Sequence, residues 1–249
     1  DFLNNQVNVS TDGSIVAHQA LVVDSSSISW GTHGAVVGMG STAITDSEIM
    51  KGSIINQGNA IFINSDFSEN TIIVLNDLGL SNTNNFSHVT FDGDGTGLIN
   101  IANGSQMNLF NSTIANCDHF NNNGTFNNTN NTFNNCSISN SSVLNLNNSI
   151  LSGNSYCHGT VSSGSNNLME LQGSEACSLQ NKSNGNIVGS AAVLIEPESN
   201  TALTTFPLSD ASPAIDAGND AVCAASPVSN TSQNGVARPV GGHCDIGAY

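Results

Sequence analysis

The sequence predicts an all-β protein, a single-stranded parallel β-solenoid of about twelve turns with a less regular, disulfide-stapled C-terminal cap. Three observations carry that expectation. Apolar residues alternate over short runs, and helical periodicity is nearly absent. A short polar-then-apolar pattern recurs about every twenty residues, and the cysteines keep much the same spacing.

In chain order, the clearest alternating runs are "GSIVAHQALVV" (13–23), "NAIFINSDF" (59–67), "LINIA" (98–102) and "VLNLNNSIL" (143–151). They read as short strands with one face buried, because successive side chains on a strand point to opposite faces. The recurring pattern is a pair of small polar or amide residues, one further residue and a large apolar one. It ends at Ile28, Ile49, Phe67, Val89, Ile114, Phe133 and Ile150, with gaps of 21, 18, 22, 25, 19 and 17 residues.

This period gives a role to "FNNTNNTFNNC" (126–136), a stretch more than half asparagine. In parallel coils, equivalent residues stack about 4.8 Å apart, so Asn over Asn can form an amide ladder. Asn also tolerates the left-handed backbone of tight corners. The Ile, Val and Phe anchors would stack inside as apolar columns, and about twelve turns would make a rod of roughly 50–60 Å.

All five prolines fall after residue 196. Proline removes a ladder donor and is confined to edges and turns. The chain therefore divides into Asn-rich coils over 1–189 and the last turns with the cap over 190–249, within one continuous solenoid domain.

The six cysteines are Cys117, Cys136, Cys157, Cys177, Cys223 and Cys244, with no CxxC pair. An even count without metal-type spacing favours disulfides made in an oxidising compartment. Fifteen pairings are open to six cysteines. A fold in which residues about twenty apart are neighbours would select Cys117–Cys136, Cys157–Cys177 and Cys223–Cys244.

Charge narrows the function. Three Lys plus Arg stand against nineteen Asp plus Glu, for a net charge of −16. That field repels phosphate backbones and anionic headgroups, so no nucleic acid is expected. No run of about twenty apolar residues occurs, so direct membrane insertion is not expected either. The start at Asp1 has no basic or apolar leader, as expected of a processed, secreted chain.

The segments "SPAIDAGND" (212–220) and "NGVARPVGGHCDIGAY" (234–249) resemble the C-terminal region of bacterial secreted right-handed parallel β-helix proteins of the choice-of-anchor Q type. The resemblance runs back through "NNSILSGN" (147–154), Cys157, "NNL" (166–168) and Cys177, covering roughly residues 145–249. Upstream, "GNAI" (58–61), "FSEN" (67–70) and "FNNN" (120–123) more loosely resemble repeats of chlamydial polymorphic membrane proteins. The likeness implies a right-handed coil and a secreted or cell-surface protein whose anchor often follows the domain.

It also implies structural roles for Ser212, Pro213, Asp216, Gly218, Arg238, Pro239, Asp245 and Gly247. Arg238 would pair with Asp216 or Asp245, and Cys223 with Cys244. Where the family commonly has Asp-x-Arg-Gly, this chain has Ser232, Gln233, Asn234 and Gly235. One charge pair is missing, and the cap is expected to rely more on its disulfide.

Parallel β-helices host pectinases and polysaccharide lyases, so the fold alone leaves catalysis open. Lyases acting on uronates need a basic residue and positive charge, and this chain offers only Lys51, Lys182 and Arg238. Hydrolysis of the polygalacturonase type needs clustered carboxylates, and "NSD" (64–66) stands alone. Neither G-x-S-x-G nor HExxH occurs. His119, His158 and His243 lie in or near Cys-containing segments, but disulfides would withdraw the thiolates and leave turn histidines. The best Ca²⁺ candidate is "DGDGTG" (92–97), with carboxylates on Asp92 and Asp94 and none of the later acidic ligands of an EF-hand.

Aromatic platforms for sugars are limited to Trp30, Tyr156 and Tyr249. Sequons such as those at Asn111, Asn130 and Asn147 are about as numerous as so much Asn, Ser and Thr gives by chance. The expectation is a non-catalytic extracellular surface or structural β-solenoid, adhesive or fibre-forming, with a carbohydrate-active β-helix or glycan-binding module as the alternative. Its partners would be further copies joined through open ends into an oligomer or filament, or a host or environmental glycan or protein along the side.

Overall fold

β-Branched and aromatic residues alternate with Ser, Thr and Asn over stretches of about five residues, enough to bury one face of a strand before the chain must turn. The computed structural model describes residues 2–3, 6–9, 13–69, 72–75, 81–195, 197–199 and 204–249, and it stacks these strands as a parallel β-solenoid. The "FSEN" stretch ends on Asn70, outside the described residues.

One nine-stranded sheet follows the coil order through Phe2–Leu3, Ala20–Asp24, Ser41–Thr45, Ala60–Ile63, Thr83–Ser87, Gln106–Phe110, Thr125–Thr129, Val143–Asn147 and Ser163–Ser165. The second sheet contains strands long enough to turn a corner. Thr90–Ile101 pairs with Asp66–Ser68 through its start and with Ile72–Leu75 through its end, and its pairing with Thr113–Asn122 shifts register between Asp92 and Gly97. Thr113–Asn122 likewise pairs with Thr132–Asn134 and then Ile138–Asn140. Each coil therefore has three sides.

The interior is columnar. Ile28, Ile49, Phe67, Phe91, Ile114, Phe133 and Leu151 stand in register on one side. Five expected anchors are among them, and two are corrected. The steps run through Phe91 and Leu151, not Val89 and Ile150. Val89 fills a corner slot that Ser or Asn holds in other coils. Ile150 shares the outward column of Thr113 and Thr132, yet it is fully buried because the C-terminal segment packs over it. Phenylalanines stack between coils, with ring centroids 4.3 Å apart for Phe62 and Phe86 and 4.6 Å for Phe120 and Phe126. Trp30 lies inside over Gly34 and Gly52, where any Cβ would collide with the indole.

The asparagines divide by position. In 126–136, Asn127 belongs to an outer ladder in which Asn108, Asn127 and Asn145 each donate to the side chain of the preceding coil, at 2.7–2.8 Å. Asn131 and Asn167 belong to an inner ladder. Backbone amides of Ser112, Asn131, Ser149 and Asn167 donate to side-chain oxygens of Asn131, Ser149, Asn167 and Asn186, all buried. Asn130 turns a corner at φ 55°.

The solenoid has about nine turns, not the twelve expected. Dividing the whole chain by its period overcounts, because regular pairing ends at Ile187–Val188. The later residues then retrace the flank. Corner residues Asn166, Asn148 and Asn111, all at positive φ, donate their amides to the carbonyls of Ala217, Asn219 and Thr231 at 3.0, 3.2 and 2.9 Å. Between them, Asn130 donates to Cys223 Sγ. Gln233 reaches furthest, donating to Val89 O and Thr90 Oγ1 and accepting from Thr113 Oγ1. Residues 217–233 thus form a strap across five coils.

Candidate functional site

On the corner between the second and third sides, successive coils place small polar residues in left-handed turns. Asp94, Asn116, Asn135 and Gly153 have φ of 47°, 48°, 53° and 67°. Their side chains knit the coils along the rod. Asn116 Nδ2 donates to Asp92 Oδ1 at 3.1 Å, Asn135 Nδ2 to Asn116 Oδ1 at 3.4 Å, and the Asn154 amide to Asn135 Oδ1 at 3.1 Å. Glu170 closes the series, accepting from the Gly153 and Ala192 amides at 2.7 and 2.8 Å.

A groove of about 590 Å³ runs over this corner. Asp94 and Gly95 form one end, Asn116, Asp118 and His119 the next coil, Asn135 and Ser137 the third, and Asn154 and Tyr156 the far end. The Tyr156 ring lies 4.5 Å from that of His158. Asp118 and His119 are both more than half exposed and sit 3.7 Å apart. The Cys117–Cys136 disulfide crosses the groove floor, and Cys157–Cys177 ties down the coil that carries Tyr156.

The acidic pair singled out in the sequence has a structural role here. Asp92 Oδ1 accepts from the Asp94 amide at 3.2 Å as well as from Asn116, so it heads the corner ladder. Among the described residues, no group of three or more His, Cys, Asp or Glu side chains is placed to hold a metal ion. The sequence points to Asp94, Cys117, His119 and Tyr156 separately, and the structure brings them to one groove with Asn116, Asn135 and Asn154, whose recurrence at intervals of 19 is the signal that links them.

The C-terminal motif residues gather around the Cys223–Cys244 disulfide. The expected ion pair of Arg238 with Asp216 or Asp245 does not form. Its guanidinium donates to the carbonyls of Gly247 and Tyr249 at 2.9 and 2.8 Å, and burial lowers its pKa to about 10 against the weaker pull of Asp245. Asp245 accepts the Asp216 amide, Asp216 accepts the His243 amide, and Gly218 donates to Cys244 O. Ser212 donates to Ala192 O beside Pro213, and Pro239 follows Arg238 through a cis bond. The ion pair present in this region joins His243 to Asp220 at 2.8 Å. It raises the imidazole pKa and lowers the carboxyl's.

Two further surfaces stand apart. On the outer face of the first sheet, the ladder column holding Asn85, Asn108, Asn127 and Asn145 continues toward the N-terminal end as Val22, Ala43 and Ile61, which line a shallow hollow of about 460 Å³. Beside the strap, Asp66 has one carboxylate oxygen sealed from solvent without a partner. Burial, with Glu48 and then Asp92 nearby, pushes that carboxyl up to about 7, against the Phe67 amide. The sequons at Asn111 and Asn130 lie fully buried beneath the strap.

Among the described residues, no helix is long and apolar enough to cross a membrane. The three disulfides are of a kind that forms and persists in oxidising compartments. No family model, curated protein or solved structure matches the chain.

Proposed function

We propose that the chain is a non-catalytic extracellular β-solenoid, an adhesive rod that presents its flank to a ligand. The observation that carries this reading is the groove, whose polar lining comes from four coils that two disulfides cross-link. A shallow, open strip of polar groups with an aromatic ring at one end suits a ligand laid along the surface, and the cross-linked coils beneath it limit the ordering cost when a ligand arrives.

The fibre-forming variant is the weaker one. Strand length falls from five residues in Val143–Asn147 to three in Ser163–Ser165, and to two in Leu168–Met169 and Ile187–Val188. So short an edge offers few free backbone groups for strand addition by a second copy. Disulfides and scarce lysine favour an extracellular setting, where proteolysis is a hazard.

The test combines negative-stain microscopy with attachment of labelled protein to intact cells and extracellular matrix. Separate rods of roughly 43 Å, nine strand spacings, with saturable attachment are expected. Long fibres of uniform width would replace adhesion by self-assembly, and rods that attach to nothing would overturn the adhesive reading.

A further inference from the structure

We propose that the groove over residues 94–156 binds an unbranched pyranose polymer without acidic groups, lying parallel to the rod axis. This rests on the adhesive reading above and assigns the ligand class of that site.

The first argument is periodicity. Equivalent groove residues come from four consecutive coils, so their polar atoms repeat at about 4.8 Å over a length of about 14 Å. A linear chain of rings matches such an array by repeating its own hydroxyls along it. About three to four sugar units fill that length. A compact metabolite would use one coil and leave the others idle.

The second argument is hydrogen-bond capacity. Asn116 spends one amide hydrogen on Asp92 and one lone pair on Asn135, and Asn135 spends one of each on Asn116 and Asn154. Each side chain retains one donor and one acceptor site. Asn135 and Asn154 are exposed, and Asn116 is partly so. Sugar hydroxyls both donate and accept, so the retained sites suit them better than they suit an apolar ligand or a phosphate. The partly exposed Tyr156 ring at the far end offers a flat apolar face to the C–H side of a pyranose.

The third argument is charge. Asp94 and Asp118 flank the groove in a chain of net charge −16. Uronates and sulfated or phosphorylated sugars are repelled, whereas neutral sugars are accepted and free amines are attracted.

The experiment is isothermal titration of the intact, disulfide-bonded protein with β-1,4-linked dimers, tetramers and hexamers of glucose, N-acetylglucosamine, glucosamine and mannuronic acid. Saturable binding of at least one of the first three is expected, with mannuronate inert and the gain with chain length ending at about four sugars. Tyr156→Ala should weaken binding at least tenfold, and Tyr156→Phe should stay within threefold. Should Tyr156→Ala fail to melt like wild type, the exposed pair His119→Ala with Asn154→Ala serves instead, with about fivefold weakening expected. Asp94→Asn with Asp118→Asn separates the ligand sources, since tenfold weakening marks an amine-bearing sugar and little change a neutral one.

Binding of mannuronate as tight as that of the neutral hexamers, or groove variants that bind like wild type, overturns the assignment. Saturable attachment to cells together with silence toward every hexamer also overturns it, while leaving the adhesive reading in place. Silence in both assays removes both.

Discussion

Replacing Asp66 with Asn isolates one destabilising charge. In the folded chain the Asp66 carboxyl titrates at about 7 because it is buried, with Glu48 and Asp92 adding repulsion. In the unfolded chain it titrates near the usual value of about 3.9. Between those values the folded state binds the proton more tightly, so stability falls as pH rises from about 4 and reaches its full loss above about 7. At about 1.4 kcal/mol per pH unit, the gap corresponds to about 4 kcal/mol.

Asn resembles the protonated carboxyl in shape and cannot ionise. Urea unfolding of wild type and Asp66→Asn at pH 4, 5.5, 7 and 8, with disulfides intact, reads the difference directly. The two proteins should match near pH 4, and the variant should be more stable by up to about 4 kcal/mol at pH 8. Stability curves that run parallel across this range would refute the reasoning, because they would mean that Asp66 ionises normally in the fold.

The other predictions address the core, the strap and its ion pair. Phe126→Ala removes a ring stacked on Phe120 inside the coil and should cost about 3–5 kcal/mol in denaturant unfolding. Asn148→Ala loses both the amide donated to Asn219 O and the oxygen that accepts the Asn219 amide, and it puts alanine at φ 48°; about 2–4 kcal/mol should be lost, with earlier proteolytic cutting in residues 217–233. Opening the buried Cys223–Cys244 link by replacing both residues with Ala should cost about 3 kcal/mol from the freed loop alone, read as a lower melting temperature. In NMR titration, His243 should protonate at a higher pH than ordinary histidine, and Asp220→Asn should move it back down.

The columns were readable wherever a small polar corner residue precedes the inward anchor by a fixed step, as before Ile49, Phe67 and Phe133. The rule slipped at Val89 because an apolar residue fills the corner slot that Ser or Asn holds elsewhere, and at Ile150 because an outward position is apolar where the strap covers it. Cys117–Cys136 and Cys157–Cys177 followed from the period, because each joins neighbouring coils, whereas Cys223–Cys244 has the same spacing but lies past the regular coils, within the C-terminal segment. The strap did not, because its bonds join asparagine amides to backbone carbonyls 51 to 120 residues away, which leaves no charge pattern or repeat in the sequence. For the same reason the last sixty residues were counted as further turns. The 19-residue recurrence of Asn116, Asn135 and Asn154 was legible, but its meaning depends on Tyr156 lying at the same corner, which only the coil register supplies.

The strap changes how the molecule can come apart. A bare stack of coils is a one-dimensional array in which each unit feels only its two neighbours, so melting can creep inward from either end. A segment bonded to five coils links units that would otherwise be independent, and none of them opens without releasing contacts shared with the rest. The span from about residue 88 to 188 therefore unfolds as one block. The coils before it, which the strap does not reach, keep the freedom to fray one at a time, and amide exchange should divide the rod at that point.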